Sequence, residues 1–224
     1  MKKVQSYLKI IKRHIISNKY FWKYRHVFQR KIFETSYGNL LKHHYDETFR
    51  HVSKESILDF GCATGDKLEY FINCGSKNIY GIDINSKALR TAEAKIKNLK
   101  VYYKFSNQIC LKDLKKFLSL KKIKKFDLII FDRVLFVLDD NELDNVLHVL
   151  SKLTKYIYID DFFPPNNNHN EYKKLRFFSN GYRQSNFDKI LEKKNFILKI
   201  KRKSPYRKVE FSNTNSALYK LINL

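Results

Sequence analysis

Glycine is scarce in this chain, and its placement points to residues that could do chemistry. Of six glycines, four lie between positions 61 and 81, and two of them, Gly61 and Gly65, follow an apolar run that contains Asp59. Glycines there permit a positive φ and let a ligand approach the backbone, while the start of a following helix offers free amide donors. A second apolar run ends at Asp83. The pattern indicates a ligand site at the ends of two strands.

The acid that follows the second run favours a nucleoside ligand. A carboxylate at that place accepts hydrogen bonds from the two hydroxyl groups of a ribose. A dinucleotide fingerprint has the form Gly-x-Gly-x-x-Gly, whereas here Ala63 stands at the second glycine position and Asp66 at the third. A carboxylate at the third position would oppose a pyrophosphate on the helix N-terminus. The spacing therefore argues against a dinucleotide.

The segments Leu58–Gly65 and Gly81–Asn85 resemble the first two motifs of the class I S-adenosylmethionine-dependent methyltransferases. Members usually have a glycine where Ala63 stands, and alanine still meets the need for a small residue. The resemblance continues through Phe126–Ile130, which is similar to the family's fourth strand, and it extends to the C-terminus. It implies methyl transfer with S-adenosyl-L-methionine as the cofactor.

The resemblance also implies a role for individual residues. Asp83 would bind the ribose, and Ile84 would pack on the adenine. Many members have an acid after the third strand that meets the adenine amino group, and Asn107 is the candidate here. Asp132, just past the fourth strand, would lie where the sulfonium and the acceptor meet. The residues implied around the methionine part are Asp59, Gly61, Ala63 and Gly65, with Cys62 between them also counted as cofactor-binding.

The elements that must position these residues alternate between strands and helices from residue 56 onward. The strands are predicted at 57–60, 78–82, 101–105, 126–131, 156–160, 196–201 and 217–222. The helices are predicted before residue 73 and at 86–97, 111–120, 141–153 and 187–194, the last with Ser185 as its N-cap. Strands joined by helices of this length require a parallel sheet covered on both faces. The predicted fold class is α/β, doubly wound and Rossmann-like, with a mostly parallel seven-stranded sheet.

The first 50 residues are predicted to form a helical extension. Apolar residues recur at three- and four-residue intervals from Val4 to Ile15 beside several lysines, which is typical of an amphipathic helix. Further helices are predicted over residues 21–33 and 39–49. A helix around Trp22 could lie across the cofactor mouth as a lid. We therefore expect an extension or lid over residues 1–50 and the cofactor-binding methyltransferase domain over residues 51–224.

The charge of the chain is strongly positive. Its 224 residues include 45 Lys and Arg against 22 Asp and Glu, a net charge of +23, which is typical of proteins that contact phosphate. Lysine supplies 35 of these cations and arginine only 10. Arginine is favoured for bidentate contacts to phosphate and guanine, so the lysine excess is weaker evidence for RNA than the total suggests.

Cysteine usage and hydropathy give two further expectations. The three cysteines form no Cys-x-x-Cys pair, which favours free thiols in a reducing compartment and gives no support for a zinc site. No apolar run reaches the length of a membrane span or a signal peptide. We expect a cytoplasmic protein.

A sulfonium methyl donor is already activated, so the enzyme must mainly align the acceptor and exclude water. A sugar hydroxyl would benefit from a general base, and the candidates by strand position are Asp132, Asp160 and His169. No cysteine lies in the Pro-Cys setting of carbon-5 pyrimidine methyltransferases. The fourth strand is followed by Arg133 and Val134 rather than by the Pro-Pro-aromatic run of amino-methylating nucleic-acid enzymes.

Three functions stay open at this point. The first is methylation of an oxygen or nitrogen of a small-molecule or carbohydrate acceptor, since no separate RNA-binding domain fits in 224 residues. The second is RNA methylation, supported by the net charge and by basic residues after the sixth predicted strand, Lys201, Arg202, Lys203 and Arg207. The third is a peripheral module with a degenerate cofactor site, whose residues 1–19 lie on an anionic membrane or bind a partner.

Overall fold

Strands and helices alternate along most of the chain in the computed structural model. The structure describes residues 8, 11–12, 14–16, 18–24, 36–96, 100–102, 116, 119–120, 122, 125–164, 176–179, 182–205 and 214–222. The strands are β1 Ser56–Phe60, β2 Asn78–Ile82, β3 Lys100–Tyr102, β4 Phe126–Asp132, β5 Thr154–Phe162, β6 Arg176–Ser179, β7 Tyr182–Ser185, β8 Phe196–Lys203 and β9 Thr214–Leu221. The helices are α1 Lys19–Tyr24, α2 Ser36–Thr48, α3 Leu68–Asn73, α4 Ser86–Lys95, α5 Asp140–Leu150 and α6 Phe187–Glu192, with 3-10 turns at Leu135–Val137 and Ser151–Leu153.

Seven of these strands form one sheet in the order β3-β2-β1-β4-β5-β9-β8. Strands β1 to β5 pair in parallel, and β9 pairs antiparallel with both β5 and β8. The strand order reverses between β1 and β4, and ligands of doubly wound folds bind outside the carboxyl ends of the strands at such a point. The predicted fold class is confirmed.

Two apolar clusters cover the two faces of the sheet. On one face, Tyr45 of α2 and Phe49, which follows this helix, pack with Phe71 of α3 against Tyr158 of β5. On the other face, residues of α5 and α6 such as Leu147 pack against the central strands. Because the parallel strands are buried on both faces, they are almost continuously apolar. The polar residues at their carboxyl ends therefore stand out as the exceptions.

Side-chain caps determine where several helices begin. The side chain of Asn85 accepts hydrogen bonds from the first amides of α4, and Asp139 forms a capping box with Glu142 at α5. Helix α6 is capped by Asn186, whose side chain accepts a hydrogen bond from the amide of Lys189. The prediction of Ser185 as this N-cap is wrong by one residue, since Ser185 still belongs to β7.

The structure adds elements that the sequence analysis did not predict. Strands β6 and β7 form a separate antiparallel pair in a stretch for which the sequence patterns predict no element. Asn180-Gly181 between them is the strongest short hairpin signal a sequence can carry. Strand β8 extends through Lys203, two residues beyond its prediction, and α5 ends at Leu150 before a 3-10 turn. Most of the helix predicted at 111–120 lies outside the described residues.

None of the helices in the described part of the chain combines the length and the apolar character needed to cross a membrane.

Candidate functional site

A turn of unusual backbone conformation joins β1 to α3. Gly61 has φ +89°, Gly65 has φ +75°, and Ala63 between them has φ +47°. The amide of Gly61 donates to the carbonyl of Ile82 at 2.7 Å, and the amide of Gly65 donates to that of Cys62 at 2.8 Å. Left-handed conformations suit glycine, so the predicted small-residue motif corresponds to a real backbone requirement. Ala63 holds this conformation despite its Cβ.

Close packing gives a second reason why glycine is required at two of these positions. A Cβ on Gly61 would come within 2.8 Å of Val134 Cγ2, and a Cβ on Gly81 would come within 2.7 Å of Cys62 Sγ. Cys62 is buried, and burial raises the pKa of its thiol well above the usual value. Cys62 therefore fills space behind the turn as a neutral thiol, and its position gives it no nucleophilic role.

Asp83 ties the two predicted motifs together. Its carboxylate accepts hydrogen bonds from the amide of Ala63 and from the amide of Asn85, both at 2.8 Å. Burial raises the pKa of Asp83, and these backbone donors oppose that shift. Ile84, which follows, is half-buried. We call this region, from Asp59 to Gly65 and from Asp83 to Asn85, the β1–β2 edge.

Asp59 is a buried carboxyl with an oxygen that can still accept a hydrogen bond. Its Oδ1 atom has no hydrogen-bond partner among the described residues. Burial raises the pKa of Asp59 to about 7, against the pull of the Lys67 ammonium. A positively charged amine beside this oxygen would donate a hydrogen bond to it and lower the pKa of Asp59. The β1–β2 edge thus fits the ammonium group and ribose hydroxyls of S-adenosylmethionine.

The acid at the third glycine position of the dinucleotide pattern has a structural partner. Asp66 accepts hydrogen bonds from Thr64 Oγ1 at 2.7 Å and from Lys95 Nζ at 2.8 Å. Lys95 also contacts Glu69 at 2.8 Å. This carboxylate joins α3 to α4 and agrees with the argument against a pyrophosphate at this position.

A second group of polar side chains lies at the carboxyl ends of β4 and β5. Asp132 and Asp160 are register partners in these neighbouring strands, and both are buried. Asp132 forms ion pairs with Lys67 and with Arg133. Although burial alone would raise the pKa of Asp132, these two cations hold it below its usual value. We call Asp132, Asp160 and the side chains that contact them the β4–β5 edge.

Asp160 has the opposite protonation tendency. Burial and the nearby charge of Asp132 raise the pKa of Asp160 well above its usual value. Ser204 Oγ donates to Asp160 Oδ2 at 2.8 Å, and the Tyr158 hydroxyl lies 3.4 Å from the same oxygen. Asp160 Oδ1 has no partner among the described residues. Of these two adjacent carboxyls, Asp132 therefore ionises more readily than Asp160.

His44 extends this network to the N-terminal extension. Its Nε2 lies 3.2 Å from the Tyr158 hydroxyl, and its ring is half-buried. Burial, followed by the charge of Arg202, lowers the pKa of His44 to about 4. The sequence analysis gave this histidine no role, since nothing local distinguishes it from His43. Only the packing of α2 against β5 brings it to the site.

Helix α1 contacts segments near the carboxyl ends of the strands. Asn85 Nδ2 donates to the Trp22 carbonyl at 3.0 Å, which links α1 to the β1–β2 edge. Trp22 packs against the cluster of Phe136, Phe162 and Tyr182, and Lys19 forms an ion pair with Glu142. These contacts reach the segments after β2 and β4 and the strand β7. Helix α1 is therefore attached to the segments that follow β2 and β4 and to the ends of β5 and β7.

The remaining predicted site residues either lie outside the described residues or contact other parts of the protein. Asn107, His169 and Arg207 lie outside the described residues. Lys201 and Arg202 belong to β8 instead of following it, and they contact Asp188 at 2.6 Å and Glu47 at 3.4 Å. Asp161 accepts the amide hydrogens of Leu135 and Phe136, so it fixes the segment after β4. No group of three or more metal-ligating side chains occurs in the described part of the chain.

Comparisons with known proteins agree with this geometry. A family model described as "Methyltransferase domain" matches residues 51–196. The structure is similar to an S-adenosylmethionine-dependent methyltransferase from Clostridium acetobutylicum ATCC 824, with 15% identity, a TM-score of 0.53 and coverage of 84% of this chain and 91% of that chain. It is also similar to magnesium protoporphyrin IX methyltransferase from Synechocystis PCC 6803 with bound SAM, with 15% identity, a TM-score of 0.58 and coverage of 94% and 97%. No curated protein sequence matches this chain.

Proposed function

Because this chain belongs to the methyltransferase domain family, we propose that it methylates an oxygen or nitrogen atom of a small-molecule or carbohydrate acceptor. It is an S-adenosylmethionine-dependent methyltransferase. When bound, S-adenosylmethionine supplies an electrophilic methyl group on a sulfonium. The turn with positive φ at Gly61 and Gly65 supports an intact cofactor site and sets aside the module with a degenerate site.

We assign the β1–β2 edge to the cofactor. Asp83 would accept hydrogen bonds from the ribose hydroxyls, and Ile84 would pack on the adenine. Asp59, through its unpartnered Oδ1, would face the ammonium group of the methionine part. Substituting Asp83 by Ala removes a charged acceptor, so we expect binding of S-adenosylmethionine to weaken about ten-fold or more. Equal affinity in titration calorimetry would contradict this assignment.

We assign the β4–β5 edge to the acceptor. Asp132 is held ionised by Lys67 and Arg133, so it can orient an acceptor hydroxyl or ammonium and accept its hydrogen bond. Burial and the charge of Asp132 raise the pKa of Asp160, so Asp160 holds a proton more readily than Asp132 and can donate a hydrogen bond to the acceptor when protonated. His169, the third candidate base, stays a prediction from the sequence.

The observation that supports a small acceptor is the position of α1, which we propose acts as a cover over the carboxyl ends of the strands. Trp22 packs on the aromatic cluster after β4 and β5, and its carbonyl accepts a hydrogen bond from Asn85. A small acceptor fits beneath such a cover, which also excludes water from the methyl transfer. A long polymer would need the cover displaced. The cover thus supports the lid proposed for residues 1–50.

RNA is the second candidate acceptor because the net charge of +23 favours contact with phosphate. It ranks second because two of the basic residues assigned above to the end of the sixth predicted strand form ion pairs within the protein. Lys201 pairs with Asp188, and Arg202 pairs with Glu47. These ion pairs reduce the positive charge that this side of the site offers to a polyanion.

The experiment that tests the proposal follows a methyl label. The purified protein is incubated with methyl-labelled S-adenosylmethionine and an extract of its source cells, and the label is measured in small-molecule, glycan, protein and RNA fractions. We expect label in the small-molecule or glycan fraction, and clearly less label with the Asp83→Ala variant when S-adenosylmethionine is below saturation. Label confined to nuclease-sensitive material would identify RNA as the acceptor and overturn the first assignment.

A further inference from the structure

Large apolar side chains face solvent along the N-terminal helical segment. Leu8, Ile11 and Ile15 are helical, and their side chains are 60%, 54% and 50% exposed. Residues three and four apart in a helix lie on the same side, so this spacing predicts one apolar side formed by the three residues. Single exposed apolar residues are ordinary, whereas three in line form a continuous patch that marks an interaction surface. We call these three residues the outer stripe.

The same segment is attached to the domain by other residues. Ile16 packs against the cluster of Phe136, Phe162 and Tyr182, and the Trp22 indole donates a hydrogen bond to the Ile16 carbonyl at 2.6 Å. The segment thus already has a side that meets the protein core. The outer stripe is a second, separate apolar surface.

All charged residues in the first 33 positions of the sequence are basic. Residues 1–33 contain ten lysines and arginines and no aspartate or glutamate. Lys12 lies next to Ile11 in the helical part and is exposed. A helix with an apolar side and a row of cations lies in the interface of a membrane, where its apolar side chains enter the acyl boundary and its cations contact anionic headgroups.

We propose that the outer stripe docks this protein on an anionic lipid bilayer. Cations alone suffice for RNA, whose phosphates offer nothing to three exposed aliphatic side chains. A second copy of the chain would bring two segments of the same strong positive charge together, which is unfavourable. Only a surface that is both apolar and anionic complements both features. Docking needs no particular acceptor, so it stands or falls independently of the proposed function.

The test uses the full chain and vesicles of phosphatidylcholine, with or without phosphatidylglycerol and with a trace of dansyl-labelled lipid. Trp22 is the only tryptophan of the chain, so energy transfer from it to the dansyl group reports docking of this segment. The test variant carries L8Q, I11Q and I15Q. A matched control carries I72Q, I197Q and L198Q, which replace aliphatic side chains of 38%, 41% and 43% exposure elsewhere.

We expect docking to vesicles that contain phosphatidylglycerol, and weaker docking by about ten-fold or more to phosphatidylcholine alone. The outer-stripe variant should lose about 100-fold in affinity, and the control should not change. Because all six side chains are exposed, melting curves should show the same midpoint for both variants. A second variant with K9Q, K12Q and R13Q, which keeps the stripe, should lose docking to the anionic vesicles.

Two results would overturn the proposal. One is unchanged vesicle affinity in the outer-stripe variant, because the apolar surface would then contribute nothing. The other is binding of polyuridylate RNA without binding of vesicles, which would make the segment a nucleic-acid arm. Neither result would depend on methyl transfer, which is followed separately with labelled S-adenosylmethionine.

Discussion

The β1–β2 edge and the β4–β5 edge lie side by side, yet they are assembled from different parts of the chain. The β1–β2 edge comes from two short segments, and its main link, from the Ala63 amide to Asp83, spans 20 residues. The β4–β5 edge depends on side chains far apart in sequence. His44 meets Tyr158 across 114 residues, and Ser204 meets Asp160 across 44.

The two edges also differ in the groups that they use. Backbone amides and carbonyls organise the β1–β2 edge around Gly61 and Gly65, so its shape follows from local conformation. Side-chain carboxyls, a phenol and an imidazole organise the β4–β5 edge. Backbone geometry suits one invariant ligand, whereas a side-chain network can be changed residue by residue for different acceptors. The comparison therefore supports the proposal that the cofactor binds at one edge and the acceptor at the other.

The largest expected effect comes from adding one Cβ to the β1–β2 edge. Gly61→Ala combines a strained φ with a contact of 2.8 Å to Val134, and we expect it to lower the free energy of unfolding by about 4 kcal/mol. The matched control is Gly75→Ala, at φ +85° with nothing within 4 Å, for which we expect about 1–2 kcal/mol. Urea denaturation measures both. Equal losses would mean that close packing at Gly61 contributes nothing.

A pH series on Asp59 tests whether the β1–β2 edge holds a carboxyl for a cation. The folded chain holds this proton more tightly than the unfolded chain, since the folded pKa is about 7 against 3.8. The resulting stability is complete below pH 3.8 and is lost as the pH rises through about 7. Relative to Asp59→Asn, the wild-type chain should lose about 4 kcal/mol over this range. Parallel curves for the two proteins would refute the buried, protonated carboxyl.

The same variant should change cofactor binding in a pH-dependent way. A cation beside Asp59 favours the ionised carboxylate, so affinity of the wild-type chain for S-adenosylmethionine should rise as the pH increases through about 7. Asp59→Asn should show no such rise in titration calorimetry. A rise of the same size in both proteins would assign it to another group.

His44 gives a smaller effect of the opposite sign at the β4–β5 edge. Its folded pKa of about 4 lies below the usual 6.5, so the neutral ring contributes stability above pH 6.5 that is lost as the pH falls through about 4. His44→Gln should remove part of this acid sensitivity, by less than about 1 kcal/mol because solvent reaches the ring. The exposed neighbour His43 provides the control, His43→Gln. If both variants follow the wild-type pH profile, the contact to Tyr158 carries no weight.

The smallest effect is expected at Ala63. Its φ of +47° is unfavourable for alanine and costless for glycine, so Ala63→Gly should stabilise the folded chain by about 0.5 kcal/mol. Affinity for S-adenosylmethionine should stay the same or increase, since the Asp83 contact uses only the backbone amide of residue 63. Thermal melting and calorimetry measure the two quantities. Destabilisation would show that the alanine methyl group has a packing role.

The sequence predicted the β1–β2 edge well because its signals are local. Glycine spacing, a carboxylate after each strand and the alternation of strands and helices all act within about twenty residues, where conformation follows from residue type. Only some residues of the β4–β5 edge could be predicted from the sequence. Strand ends located Asp132 and Asp160, whereas Lys67 and His44 became part of the site through packing between distant elements. No local pattern distinguishes Lys67 and His44 from the other lysines and histidines of the sequence.

The opposite pKa shifts of the two neighbouring carboxyls could not be predicted from the sequence either. Asp132 and Asp160 both follow apolar runs, and their residue types are identical. Their pKa values diverge because Lys67 and Arg133 pair with Asp132, while Asp160 is buried beside that charge. The cations select which carboxyl ionises, and only the register of β4 against β5 brings the two carboxyls together.

Hydrogen–deuterium exchange with and without S-adenosylmethionine tests most directly that the two edges have separate tasks. The account predicts slower exchange in peptides that contain Asp59–Gly65 and Asp83–Asn85, whose amides form the β1–β2 edge. Peptides from β8 should exchange at the same rate in both states. Protection that is absent, or that is confined to peptides outside the β1–β2 edge, would contradict the placement of the cofactor.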